Sequence, residues 1–153
     1  MSGESLLDLL VRIHDAVSGE GVPALEMAAR FGAIEAEYAD AVLVRPSDPR
    51  LSDVVVSRDR ETGEAANVEA RLAVPGSIGL DEVRAAWGEP RVAPTTAVVL
   101  TFLAFRRPPA PGARFCAVVS VKTRGDETGP VEWIGAFRES PCEPPAGAGR
   151  RAP

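Results

Sequence analysis

The 153-residue sequence has one histidine, one tyrosine and two cysteines, and sixteen of its seventeen basic residues are arginine. Each scarcity excludes something. A single histidine, His14, rules out a histidine metal cluster and leaves a Ser-His-Asp arrangement only one candidate base. It lies beside Asp15 at the margin of an apolar helical stripe, where a boundary histidine is the expected role. Two cysteines cannot make a disulfide framework. Cys116 sits inside an apolar run and is expected as a free thiol behaving as a small hydrophobe, while Cys142 falls in a loose tail, so neither is expected to be activated. No apolar run approaches the roughly 18 residues of a membrane span, and Glu4 and Asp8 stand where a secretory signal needs positive charge. The glycine patterns GEG at 19–21 and GAG at 147–149 do not join a strand to a helix as a phosphate cradle requires. The expectation is a cytoplasmic chain with no metal, no cofactor, no membrane partner and no nameable catalytic residue.

The charge that is present is unevenly spread. Residues 1–73 carry 14 acids and 7 bases, and residues 74–153 carry 8 acids and 10 bases, within a net charge of −5. General nucleic-acid binding is not expected from that balance. In AIEAEYADA the acids Glu35, Glu37 and Asp40 surround Tyr38, which suits contact with a basic partner, a proton-transfer site if the fold is a cone around a pocket, or, as the plainest reading, a solvated helix end. Between two apolar runs lies FRRPPAPGARF, 105–115, with Arg106, Arg107 and Arg114 around Pro108 and Pro111 in PxxP spacing. That spacing fits a polyproline ligand, but a stiff connector between paired strands is the preferred reading.

Periodicity places the elements. SLLDLLVRIHDAV, 5–17, puts Leu6, Leu9, Leu10, Ile13 and Val17 on one helical stripe behind a Ser5–Asp8 capping box. A second helix starts near Pro23 and runs through LEMAARF to Gly32, with continuation to Tyr38 left open; a third, LDEVRAAW at 80–87, stops at Gly88 before Pro90. Ala66, Val68, Ala70 and Leu72 alternate with polar residues as a strand with one wet face. TAVVLTFLAF, 96–105, is apolar on both faces and reads as the central strand. ARFCAVVSVK and PVEWIGAF complete a meander with it, and in the latter Val131, Trp133, Gly135 and Phe137 share a face, which predicts Trp133 as a core anchor. A single α+β domain over 1–138 follows, with two or three helices on a mostly antiparallel sheet, ahead of a disordered Pro/Gly-rich tail at 139–153.

An internal echo suggests two related halves. EMAARFG (26–32) matches EVRAAWG (82–88), DVVVSRD (53–59) matches CAVVSVK (116–122), and ETGEAANVE (61–69) matches ETGPVEW (127–133), the offset growing from 56 to 66.

VRAAWGEP, 83–90, resembles the helix end of the outer-membrane assembly small lipoproteins, and the echoed helix-plus-meander halves are similar to the unit repeated in secreted beta-lactamase-inhibitor proteins. That resemblance implies a non-catalytic binder. VEWIGAFRES resembles the last strand of nuclear-transport-factor-2-like domains, which implies instead a cone-shaped fold around a small-molecule pocket. The first reading expects a protein-binding module of inhibitor, immunity or adaptor type, touching another protein through Glu35, Glu37, Tyr38, Asp40, Arg106, Arg107 and Arg114, with homo-oligomerisation open. The second expects a domain that binds or transforms a small apolar molecule, with a deep pocket containing His14, Tyr38 or a buried carboxylate as its mark.

Overall fold

A computed structural model of the chain describes residues 3–19, 21–93 and 99–139. The tail after Glu139, Cys142 within it, and residues 96–98 of the long apolar run lie outside the described residues. Helix α1 (Leu6–Ser18) opens with the expected capping box: Asp8 N–H donates to Ser5 Oγ at 3.0 Å, and Ser5 N–H donates back to the Asp8 carboxylate. Its stripe of Leu9, Leu10, Ile13 and Val17 is buried. Helix α2 (Ala24–Ala29) follows Pro23, whose fixed φ suits a first turn, and buries Ala24, Met27 and Ala28.

The chain then departs from expectation. Instead of a helix continuing toward Tyr38, Gly32–Glu37 is strand β1. AIEAE has a helical composition, but the adjacent AVLVRP forms β2 (Ala41–Pro46), and pairing with that β-branched strand decides the conformation. Gly32 permits it: a Cβ there would stand 2.1 Å from the Arg45 carbonyl oxygen. Strands β3 (Leu51–Arg58) and β4 (Ala65–Leu72) complete a first meander. Helix α3 (Leu80–Trp87) ends at Gly88, where φ is +85°, and leads to β5 (Arg91–Ala93), β6 (Leu100–Arg106), β7 (Ala117–Arg124) and β8 (Val131–Arg138).

All eight strands form one antiparallel sheet in the order β1-β2-β3-β4-β8-β7-β6-β5, so two four-stranded meanders meet at the β4–β8 seam. The apolar strand expected at the centre is β6, second from an edge; β4 and β8 are central. Helix α1 lies over β8, β7 and β4, and α2 over the first meander. The core beneath them is Val42, Val44, Val54, Val56, Val68, Ala70, Leu103, Phe105, Val119, Val121, Ile134 and Ala136, one side of the sheet only.

Two irregularities move residues between faces. A register shift at Ser57/Arg58 buries Ala65 in place of Ala66. Another at Lys122/Thr123 pairs Val131 with Thr123 but Trp133 with Lys122, which leaves Glu132 as the extra residue of a bulge. Val131 therefore joins the helix-side core, and Trp133, Gly135 and Phe137 point away from it. Trp133 is not the core anchor that strict alternation predicts.

His14 is fully buried, and its Nε2–H donates to the Ala117 carbonyl at 3.0 Å, stapling α1 to the start of β7. Cys116 is disulfide-bonded, against the expected free thiol. Among the described residues no helix is long and apolar enough to cross a membrane.

Candidate functional site

The side of the sheet away from α1 and α2 carries a compact aromatic and cationic cluster. Its register is set by the strand pairings: Arg71, Trp133, Lys122 and Phe102 stand in one cross-strand row, Glu69, Gly135, Ser120 and Ala104 in the next, and Asn67, Phe137, Val118 and Arg106 in the third. Across β8, β7 and β6 the middle row is a floor of small residues, Gly135, Ser120 and Ala104. Gly135 is required in it, because a Cβ there would stand 2.2 Å from the Val68 carbonyl oxygen of the neighbouring strand. Phe102 and Phe137, from strands on either side of β7, lean together over this floor, their ring centroids 5.8 Å apart at an interplanar angle of 61°, an edge-to-face arrangement. Ser120 and Ala104 are buried below, whereas Phe102, Trp133 and Phe137 are each half-buried.

Trp133 lies between two cations supplied by its neighbours in the row. The Arg71 guanidinium and the Lys122 ammonium are each 6.0 Å from a Trp133 ring centroid, and Lys122 is also 5.9 Å from Phe102. Lys122 is neutralised by Glu69 at 2.7 Å. Arg71 has no carboxylate partner among the described residues, so this exposed guanidinium adds net positive charge beside an accessible indole face.

The residues singled out from sequence lie elsewhere and in two groups. Glu35 and Glu37 are on β1, with Tyr38 and Asp40 in the turn to β2; Tyr38 is 56% exposed. Glu35 pairs with Arg45 at 3.4 Å, Glu37 with Arg58 at 2.9 Å, and the Asp40 carbonyl accepts from Arg58 N–H. The carboxylates of Glu35 and Glu37 are therefore matched within the chain, in a hairpin and not at a helix end. Arg106, Arg107 and Arg114 flank the β6–β7 connection, in the other half of the sheet. Arg107 bonds Asp15 at 3.3 Å and stacks 5.9 Å from Trp87. Arg114 reaches Glu64 and lies 4.7 Å over Phe115, whose ring is also covered by Arg138 at 3.6 Å. Arg107 and Arg114 thus pin the loop, and Pro108–Gly112 between them are exposed.

Among the described residues, surface clefts of about 180, 320 and 470 Å³ are lined by neither His14, Tyr38 nor the buried Glu132. Glu132 sits against Arg124. Among the described residues no His, Cys, Asp and Glu side chains group as metal ligands. The aromatic cluster was missed in the sequence because period-two alternation put Trp133 on the wrong side; the signal that finds it is the row of Phe102, Lys122 and Trp133 once pairing is known. Compared with protein families, curated proteins and solved structures, the chain shows no match.

Proposed function

We propose that this chain is a non-catalytic protein-binding module of inhibitor, immunity or adaptor type, and that it binds through the helix-free face of its sheet. The observation that carries this reading is Trp133, half-buried between two cations beside the Phe102–Phe137 pair, on a face that no described element covers. Large aromatics and arginine dominate binding energy at protein interfaces. A rigid antiparallel sheet presents them with little ordering cost on association. Further support comes from the chemistry-bearing residues: His14 is sealed in the core against a backbone carbonyl, Tyr38 projects from a hairpin turn, and the described clefts gather neither.

Two related halves remain part of the proposal. The matched segments fall on matching elements: α2 with α3, β3 with β7, and β4 with β8. The turns before β4 and β8 also share a device, Asp59 accepting from the Thr62 N–H and Asp126 from the Thr128 hydroxyl and N–H; backbone hydrogen bonds from Thr62 and Glu61 hold the Asp59 carboxyl below its usual range, and the Thr128 hydroxyl, then its N–H, do the same for Asp126. The disulfide at Cys116 supports an oxidising compartment over the cytoplasm first expected.

Selection from a random peptide-display library tests the binding face. Peptides that bind the full chain and lose about tenfold or more in affinity with Trp133→Ala support it. A set of binders all indifferent to Trp133→Ala and Phe137→Ala rejects it.

A further inference from the structure

We propose that the partner offers this face an acidic segment in which carboxylates flank an apolar side chain, the apolar group lying on Trp133 and a carboxylate meeting Arg71. The proposal rests on the binding reading above and specifies the partner's chemistry.

The charge of the face supports it. By strand pairing the cations Arg45, Arg71, Arg91, Arg106 and Lys122 share the face with three carboxylates, Glu35, Asp53 and Glu69. Arg45 is matched by Glu35 and Lys122 by Glu69. Arg71 and Arg91 are exposed and have no carboxylate partner among the described residues. With Arg45 and Lys122 matched, Arg71 and Arg91 against Asp53 leave this face a small excess of positive charge on a chain whose formal net charge is −5. A basic partner would meet like charge at Arg71, and a neutral apolar one would desolvate a guanidinium that makes no ion pair with its cross-strand neighbour Asp53, at several-fold cost in affinity. A carboxylate satisfies the planar guanidinium fork in bidentate fashion while the indole beneath keeps its contact with the arginine plane.

An open sheet bearing aromatics and cations also suits single-stranded nucleic acid. Two observations favour protein. Base stacking needs free ring faces, but Phe102 and Phe137 are turned edge-to-face against each other, leaving Trp133 as the accessible aromatic. A tracked phosphate backbone needs a continuous cationic path, and in the row beside Arg71 the Lys122 ammonium is already closed by Glu69.

The experiment takes peptides selected on the full chain, retains those that depend on Trp133, and reads their charge. Enrichment of Asp and Glu next to apolar residues, with affinity falling about tenfold for Arg71→Glu and largely kept for Arg71→Lys, is the expected result. Neutral or basic peptides among the Trp133-dependent binders overturn the proposal but leave the binding face standing. The absence of any Trp133-dependent peptide removes the face and the proposal together. Oligouridylate bound in a Trp133-dependent manner, more tightly than the selected peptides, overturns both in favour of nucleic acid. Circular dichroism of Trp133→Ala and Arg71→Glu confirms that the compared variants are folded.

Discussion

Trp133 and Ile134 are neighbours in sequence with opposite fates. Ile134 is fully buried under α1, and Trp133 is half-buried on the other face between Arg71 and Lys122. Truncation should separate them. Ile134→Ala is expected to cost about 2–5 kcal/mol of stability, the usual penalty for a core cavity, and Trp133→Ala about 1–2 kcal/mol, since much of its surface never leaves water. Urea titrations of the two variants check this, and a larger loss at Trp133 than at Ile134 reverses the assignment of faces. Gly135 adds a steric counterpart: Gly135→Ala forces a methyl toward the Val68 carbonyl and should destabilise more than Trp133→Ala. The alternation of PVEWIGAF was legible, but a bulge is a tertiary event. One extra residue at Glu132 inverts the face of everything before it, and nothing in the local pattern of Val131, Glu132 and Trp133 announces where it falls.

Among the elements, the β6–β7 connection shows how function-like composition can be structural. Arg107 is tied to Asp15 of α1, Arg114 and Phe115 donate backbone N–H groups to Gly19 and Ser18, and Phe115 is clamped by Arg114 and Arg138. The tip is a tight turn in which Ala113 N–H donates to the Ala110 carbonyl and Gly112 has φ +83°. Replacing Pro108–Gly112 by a Gly/Ser segment of equal length is expected to cost no more than about 1–2 kcal/mol, an effect on loop entropy and turn geometry. A cooperative loss of the fold on that replacement would show that the prolines carry contacts of their own. A second clasp joins the start of α1 to the β2–β3 turn: Arg12 bonds Glu4 at 2.9 Å, and Arg50 bonds Asp48 at 2.7 Å and the Glu4 carbonyl oxygen. Hydrogen bonds from Arg12 hold Glu4 below its ordinary pKa, and those from Arg50 do the same for Asp48. A depressed folded-state pKa stabilises the fold above the unfolded carboxylate value, about pH 4, and that contribution is lost as pH falls through the folded value. The melting temperature of Glu4→Gln/Asp48→Asn should thus fall below the parent's at neutral pH and converge with it in acid; a constant gap would show that the clasp acts by shape alone.

At the scale of the whole molecule, the helices and the later meander were legible because capping residues, Pro23, Gly88 and alternating apolar runs are local signals. The first hairpin and the order of strands were not, since AIEAE becomes a strand only through its partner, and no local pattern tells that β8 returns beside β4. That return is what makes one domain of two meanders. Helix α1 belongs to the first half in sequence yet lies mainly over β8 and β7 of the second, held there by the His14–Ala117 hydrogen bond and by Arg138 donating to the Val17 carbonyl. A fragment ending at Val74 would leave the apolar stripe of α1 without most of its cover and β4 with an open edge; the remainder would lack the lid over Val119, Val121 and Ile134. Each fragment alone is expected to show no cooperative thermal transition by circular dichroism, and the equimolar mixture to recover one, because the β4–β8 seam and the α1 contacts reform between chains. A cooperative transition in either isolated fragment would mean that each half closes its own core, and would move the centre of stability from the seam to the separate meanders.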